Sequence, residues 1–130
     1  MHTYLAIALG GAAGGALRVL VGVWAGRLPA YGFPFGIWVV NVTGSLLLGL
    51  LLPLVLHPGW LATESYWLLV VGLCGSYTTV STFALQTVSL FEGGRNPMAG
   101  LYIGLSLLAC LGAAALGLWL GEGIIAWSGP

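Results

Sequence analysis

"GLCGSYTTVSTF", Gly72 to Phe83, lies inside an apolar run yet packs five serines and threonines into the seven residues Ser76 to Thr82. Two glycines precede them, and glycine and β-branched threonine both favour helix less than alanine does. A segment that only had to cross lipid would have no use for this composition. An unwound turn at membrane depth persists only where protein or a cavity lines it. Such broken helices offer carbonyls to a cation and amide dipoles to an anion. The stretch is therefore either a polar packing seam or an ion site at a helix break, and the density of hydroxyls favours the second.

The rest of the chain makes that segment a membrane span. Of 130 residues, 59% are hydrophobic and 5% charged, with a mean hydropathy of +1.05. A soluble domain of this size leaves too much surface in water to hide so much apolar area. The class is all-α integral membrane protein. At about 20 residues per spanning helix, the length accommodates four spans in one domain, 1–130, with short loops. The sequence contains no Lys and no Asp, only Arg18, Arg27, Arg95, Glu64, Glu92 and Glu122. No basic patch is available for nucleic acid, and no polybasic cluster for lipid headgroups. Cys74 and Cys110 both fall in apolar runs, against a disulfide framework or a metal cluster. The N-terminus lacks a basic leader region, so the first apolar run is expected to remain as a span.

The spans are expected at about Thr3 to Ala25, Ile37 to Leu56, Tyr66 to Phe91 and Met98 to Trp127. "GGAAGG" (Gly10 to Gly15), Gly100 with Gly104, and Gly117 with Gly121 place small residues at the spacing that lets helices approach closely in lipid. Pro29 and Pro34 mark the first connection, and Pro53 is expected to kink or fray the second span. Trp60, Tyr66 and Trp67 suit an interfacial aromatic belt. Arg27 and Arg95 fall on the side of loops one and three, and Arg18 leans the same way. The positive-inside rule then sets those loops in the cytoplasm.

Several polar residues interrupt the spans. Asn41 stands mid-span and shares a helical face with Ser45, four residues on. Its amide needs partners from neighbouring helices or a wet cavity, and the two remain alternatives. Thr43 can bond back to its own helix. Phe83 reads by itself as core packing, although the positive edge of an aromatic ring can face an anion. Gln86 lies three residues beyond it. Ser106 and Cys110 share a face, which by itself reads as helix packing. No acidic residue occupies a span centre, as a proton-coupled exporter would need. Both histidines are peripheral, so no base adjoins a nucleophile and no enzyme is expected. Hydroxyls, amides and ring edges suit passive permeation by a small ion.

Together "GGAAGGALR", "NVTGSLLLG" and "GLCGSYTTVSTF" resemble the Fluc/CrcB fluoride channel family. Its pattern has a glycine-rich first span ending in Arg, an Asn-x-x-Gly-Ser in the second, and Gly-x-x-Gly-x-x-Thr-Thr-Phe-Ser-Thr-Phe in the third. The resemblance implies four-helix subunits paired antiparallel, in dual topology, in the cell (inner or plasma) membrane, with two fluoride pores at the interface. It implies a structural Na⁺ at the dimer centre, held by the backbone carbonyls of Gly75 and Thr78. Asn41, Ser81, Thr82, Phe83, Ser106 and Cys110 correspond to the fluoride path, and Arg18 to the arginine of the first motif.

Four residues depart from the pattern. Val80 replaces the first phenylalanine of the third motif, and Ile37 stands where a threonine is common. Cys110 replaces a hydroxyl, and Gln86 stands where many members carry Glu. The expected function is a passive channel that exports cytoplasmic fluoride. The alternatives are a subunit of a paralogue pair with one degenerate pore, and a non-conducting assembly subunit.

Overall fold

Helices form along the apolar runs, and most of their ends fall at turn residues. The computed structural model describes residues 2–28, 32–58 and 60–128. Helix α1 is His2–Gly26 and α2 is Phe35–Leu56. The third span begins with the short α3 (Thr63–Ser65), continues as a π-helix, Tyr66–Cys74, and closes its first half with α4, Gly75–Tyr77. Its second half is α5 (Val80–Glu92), and the fourth span is α6 (Asn96–Ser128). All four expected spans are long and apolar enough to cross a membrane. Pro29 lies outside the described residues. Pro34 immediately precedes α2, where its fixed φ and missing N–H are tolerated. Pro53 does not end α2, which runs on to Leu56, and the Pro53 carbonyl accepts from His57 N (2.9 Å).

Close glycine contacts hold the bundle together. Cβ atoms on Gly10 and Gly14 would collide with the carbonyls of Leu68 and Leu73. Those two carbonyls are five residues apart, and an i→i+5 winding brings such residues to the same side of a helix. The π form of Tyr66–Cys74 thus matches the four-residue step of Gly10 and Gly14 on α1. Gly72 completes the seam, with Ile7 O 2.8 Å from where its Cβ would lie. Across the molecule α2 meets α6 through Gly49, Gly117 and Gly121 in the same backbone-to-backbone manner. Gly100 and Gly104, read as helix-contact residues, meet nothing within 4 Å among the described residues. Gly100 is exposed and Gly104 half-buried on α6.

Loops one and three meet at one end of the bundle. A Cβ on Gly32, whose φ is +88°, would strike the Arg95 guanidinium. The aromatic cluster beneath them joins Phe33, Trp38 and Phe83 to buried Tyr102, Ala99 and Leu90. Elsewhere large apolar side chains point outward, among them Leu108, Leu111, Trp119 and Trp127. Lipid is the solvent in which such a surface is stable.

Candidate functional site

The break falls at Thr78 and Thr79. Both are extended, with φ/ψ of −77°/158° and −153°/119°, between the end of α4 and the start of α5. Thr78 N reaches back to Cys74 O (3.1 Å), and its hydroxyl donates to the same carbonyl (3.0 Å), closing the first half-helix. Thr79 opens the second half by capping it: its Oγ1 accepts from Thr82 N (3.2 Å), as an N-cap threonine does. The Ser81 and Thr82 hydroxyls each lie 3.1 Å from that same Oγ1.

Asn41 supplies what the broken helix lacks. Its Nδ2 donates to Thr79 O (3.0 Å), and Thr79 N donates to its Oδ1 (2.9 Å). The carboxamide pairs with the backbone of an extended residue much as a neighbouring strand would. In an unbroken helix Thr79 N would serve Gly75 O, and Thr82 N would serve Thr78 O. Both donors are turned elsewhere, to Asn41 Oδ1 and Thr79 Oγ1. Gly44, one turn past Val40, lets α2 come this close: a Cβ there would strike the Thr78 methyl and lie 3.0 Å from the Tyr77 ring. Tyr77 is tied in by its hydroxyl, 2.8 Å from Thr43 Oγ1, which also donates to Val39 O as expected of a back-bonded threonine.

A groove of about 380 Å³ opens beside the break. From α2 it is lined by Asn41, Ser45 and Leu48, from the break by Thr78, Thr79, Val80 and Phe83, and from α6 by Ser106, Leu107, Cys110 and Leu111. No lining residue carries a formal charge. Ser106 is 7% exposed, and its Oγ has no hydrogen-bond partner among the described residues. An unpaired buried hydroxyl is costly, so it has a donor to spare for an occupant. Val80 stands at the rim, 80% exposed.

The fold brings Asn41, Phe83, Ser106 and Cys110 to one groove, with Thr78 and Val80 at its side. It does not bring Arg18 there, which is half-buried in α1, nor Gln86. Ser81 and Thr82 belong to the hydroxyl cluster around Thr79 and are not part of the lining. Gln86 instead accepts from Tyr102 Oη (2.9 Å). Tyr102 was missed in the sequence. It is fully buried, and its ring lies 5.0 Å from that of Phe83 at 41°, setting the angle at which Phe83 meets the groove. The signal for it was present: Tyr102, Ser106 and Cys110 recur every four residues and so fall on one face of α6.

Among the described residues no three of His, Cys, Asp and Glu come together as a metal cluster. A cation at the break would have to be held by backbone oxygen, the ligand type that hard cations accept. The Thr79 and Thr82 amides, which in an unbroken helix would serve the Gly75 and Thr78 carbonyls, are engaged elsewhere.

The comparisons with known proteins agree with this architecture. The family described as "CrcB-like protein, Camphor Resistance (CrcB)" matches residues 5–118. The chain belongs to the CrcB family. It is 43% identical over 118 residues to the fluoride-specific ion channel FluC of Agrobacterium fabrum, covering 91% of this chain and 94% of that one. To the fluoride-specific ion channel FluC of Paracoccus denitrificans it is 42% identical over 125 residues, covering 96% and 98%. To the fluoride-specific ion channel FluC 1 of Symbiobacterium thermophilum it is 43% identical over 122 residues, covering 93% and 98%. This CrcB protein is a multi-pass protein of the cell membrane, and not an enzyme.

Proposed function

We propose that this chain is a subunit of a fluoride-specific channel that lets fluoride leave the cytoplasm passively and so lowers its toxicity. The observation that carries the reading is the uncharged, largely apolar groove beside the helix break, into which Asn41, Ser45 and Ser106 bring polar groups, in a chain about two-fifths identical to relatives named for that activity. Fluoride is small and strongly hydrated, so a path must replace its water shell without a full positive charge that would trap it. The second Nδ2 hydrogen of Asn41, the unpaired Ser106 hydroxyl and the Cys110 thiol are weak donors in series. The Phe83 ring adds the positive edge of its quadrupole. Val21 and Leu50 line a neighbouring cavity whose wall is almost only hydrocarbon, which supports assigning the path to the groove that holds Asn41 and Ser106.

The reading includes a second subunit packed antiparallel, as homodimer or paralogue pair, with two pores at the interface. It also includes a structural Na⁺ at the dimer centre. The carbonyls of Gly75 and Thr78 would hold that ion, which supplies a fixed positive potential near the path. Arg18 has a structural role on α1. The paralogue pair is kept as a second reading because Val80, where the family motif has a ring, is so openly displayed at the groove's rim.

Fluoride efflux from liposomes reconstituted with this chain alone tests the function. Efflux well above that of empty vesicles, with no added energy source, is expected for the homodimeric channel. Efflux equal to empty vesicles rejects it, and recovery on adding a paralogous subunit identifies the pair.

A further inference from the structure

We infer that Asn41 is the positioning residue that latches the helix break. It acts through the backbone of Thr79, in addition to any donor it offers the path. The inference rests on the channel reading only for its functional consequence. Its structural basis is the pair of hydrogen bonds by which one carboxamide takes both the N–H and the C=O of Thr79.

Thr79 is 7% exposed and extended, so its backbone groups cannot turn to water. Buried peptide groups must be paired, and their ordinary helical partner for the N–H would be Gly75 O. Asn41, on α2 and 38 residues away, replaces that partner. Two consequences follow for one side chain. The break is stable because the orphaned groups of Thr79 are satisfied from a second helix. The Gly75 carbonyl is released for the same reason. Without the Asn41 amide, Thr79 N has either no acceptor or a rewound helix to return to, and neither state keeps the present break. The hydroxyl cluster of Ser81 and Thr82 hangs on Thr79 Oγ1, so loss of the latch also disturbs the cap of α5.

The acceptor and donor functions can be separated chemically. Asn41→Asp keeps an oxygen for Thr79 N, whereas Asn41→Ala keeps neither half of the latch. The test is amide hydrogen exchange at Thr79, resolved by NMR on the full chain in lipid nanodiscs, read beside fluoride efflux on the same variants. Asn41→Ala should accelerate Thr79 exchange tenfold or more, and Asn41→Asp should stay within about threefold of the parent chain, restored by the retained acceptor. Efflux should fall in both: Asn41→Ala loses the latch, and Asn41→Asp loses the amide N–H that would face the anion even where the latch holds. Phe83→Ile, which should lower efflux from the groove side, should leave Thr79 exchange unchanged. If Asn41→Ala leaves Thr79 exchange unchanged, the latch is overturned, whatever efflux does. If the parent chain passes no fluoride while Thr79 exchange responds as stated, the latch stands and the channel reading falls.

Discussion

Ser106 shows how much depends on single atoms. Its hydroxyl is buried without a partner, so Ser106→Ala removes a desolvated orphan instead of a formed bond. We expect thermal stability to stay level or rise by up to about 1 kcal/mol, while fluoride efflux drops by about tenfold or more. Loss of stability without change in efflux would show the hydroxyl to be structural. Asn41 behaves oppositely: truncation leaves two buried peptide groups unpaired, a cost of about 2 kcal/mol or more. That Asn41 needed a partner was legible from its depth in an apolar span. The identity of the partner was not, because nothing local links it to an extended residue on another helix. The sequence left open whether it served packing or the path. The geometry shows a side chain committed to the backbone with one amide hydrogen remaining. Phe83 was readable as an aromatic at the break's edge, but its orientation depends on Tyr102, whose ring packs against it.

The third span carries the lesson at the scale of an element. Glycines and clustered hydroxyls forecast a break near its middle, and the chain breaks at Thr78 and Thr79. The π winding of Tyr66–Cys74 was not forecast. Local propensity hardly distinguishes it from α, and it is the contact with Gly10 and Gly14 that gives it a use. That contact makes a sharp comparison of glycines possible. Gly14→Ala places a methyl against the Leu73 carbonyl and should cost about 1–3 kcal/mol through forced separation of α1 from the third span. Gly15→Ala meets nothing within 4 Å and should be neutral or stabilising by up to about 1 kcal/mol through helix propensity. Thermal unfolding of the two variants in one detergent decides the matter; equal effects would remove the α1 seam as the reason for the π turn.

At the scale of the whole molecule, an uncovered surface borders the helix break. Gly75, Val80 and Ser81 are exposed beside the groove, on a surface that otherwise belongs to lipid. Polar groups facing acyl chains are costly, and the proposed second subunit would remove that cost. The mass of the detergent-solubilised complex should therefore be that of a dimer, either of this chain alone or with a paralogue. A monodisperse monomer that still supports efflux would contradict the antiparallel pair. Replacing Val80 by Phe restores the ring of the family motif at a position with ample room. We expect Val80→Phe to leave stability unchanged and raise efflux severalfold if the second pore is degraded at this residue. No change would assign the deficit elsewhere.

Sequence alone determined the number of spans, their limits to within a few residues, the membrane as solvent and the place of the break. Each of these depends on local quantities: hydropathy summed over about 20 residues, helix propensity, and proline or glycine at an end. The tertiary structure alone decided which residues share the groove, that Asn41 closes on Thr79, that Tyr102 steers Phe83, and that α1 rests on a π turn. These are pairings between helices far apart in the chain. In an almost uniformly apolar sequence with little contrast between faces, close backbone approach at glycines and a few polar and aromatic pairings set how the helices are turned toward one another.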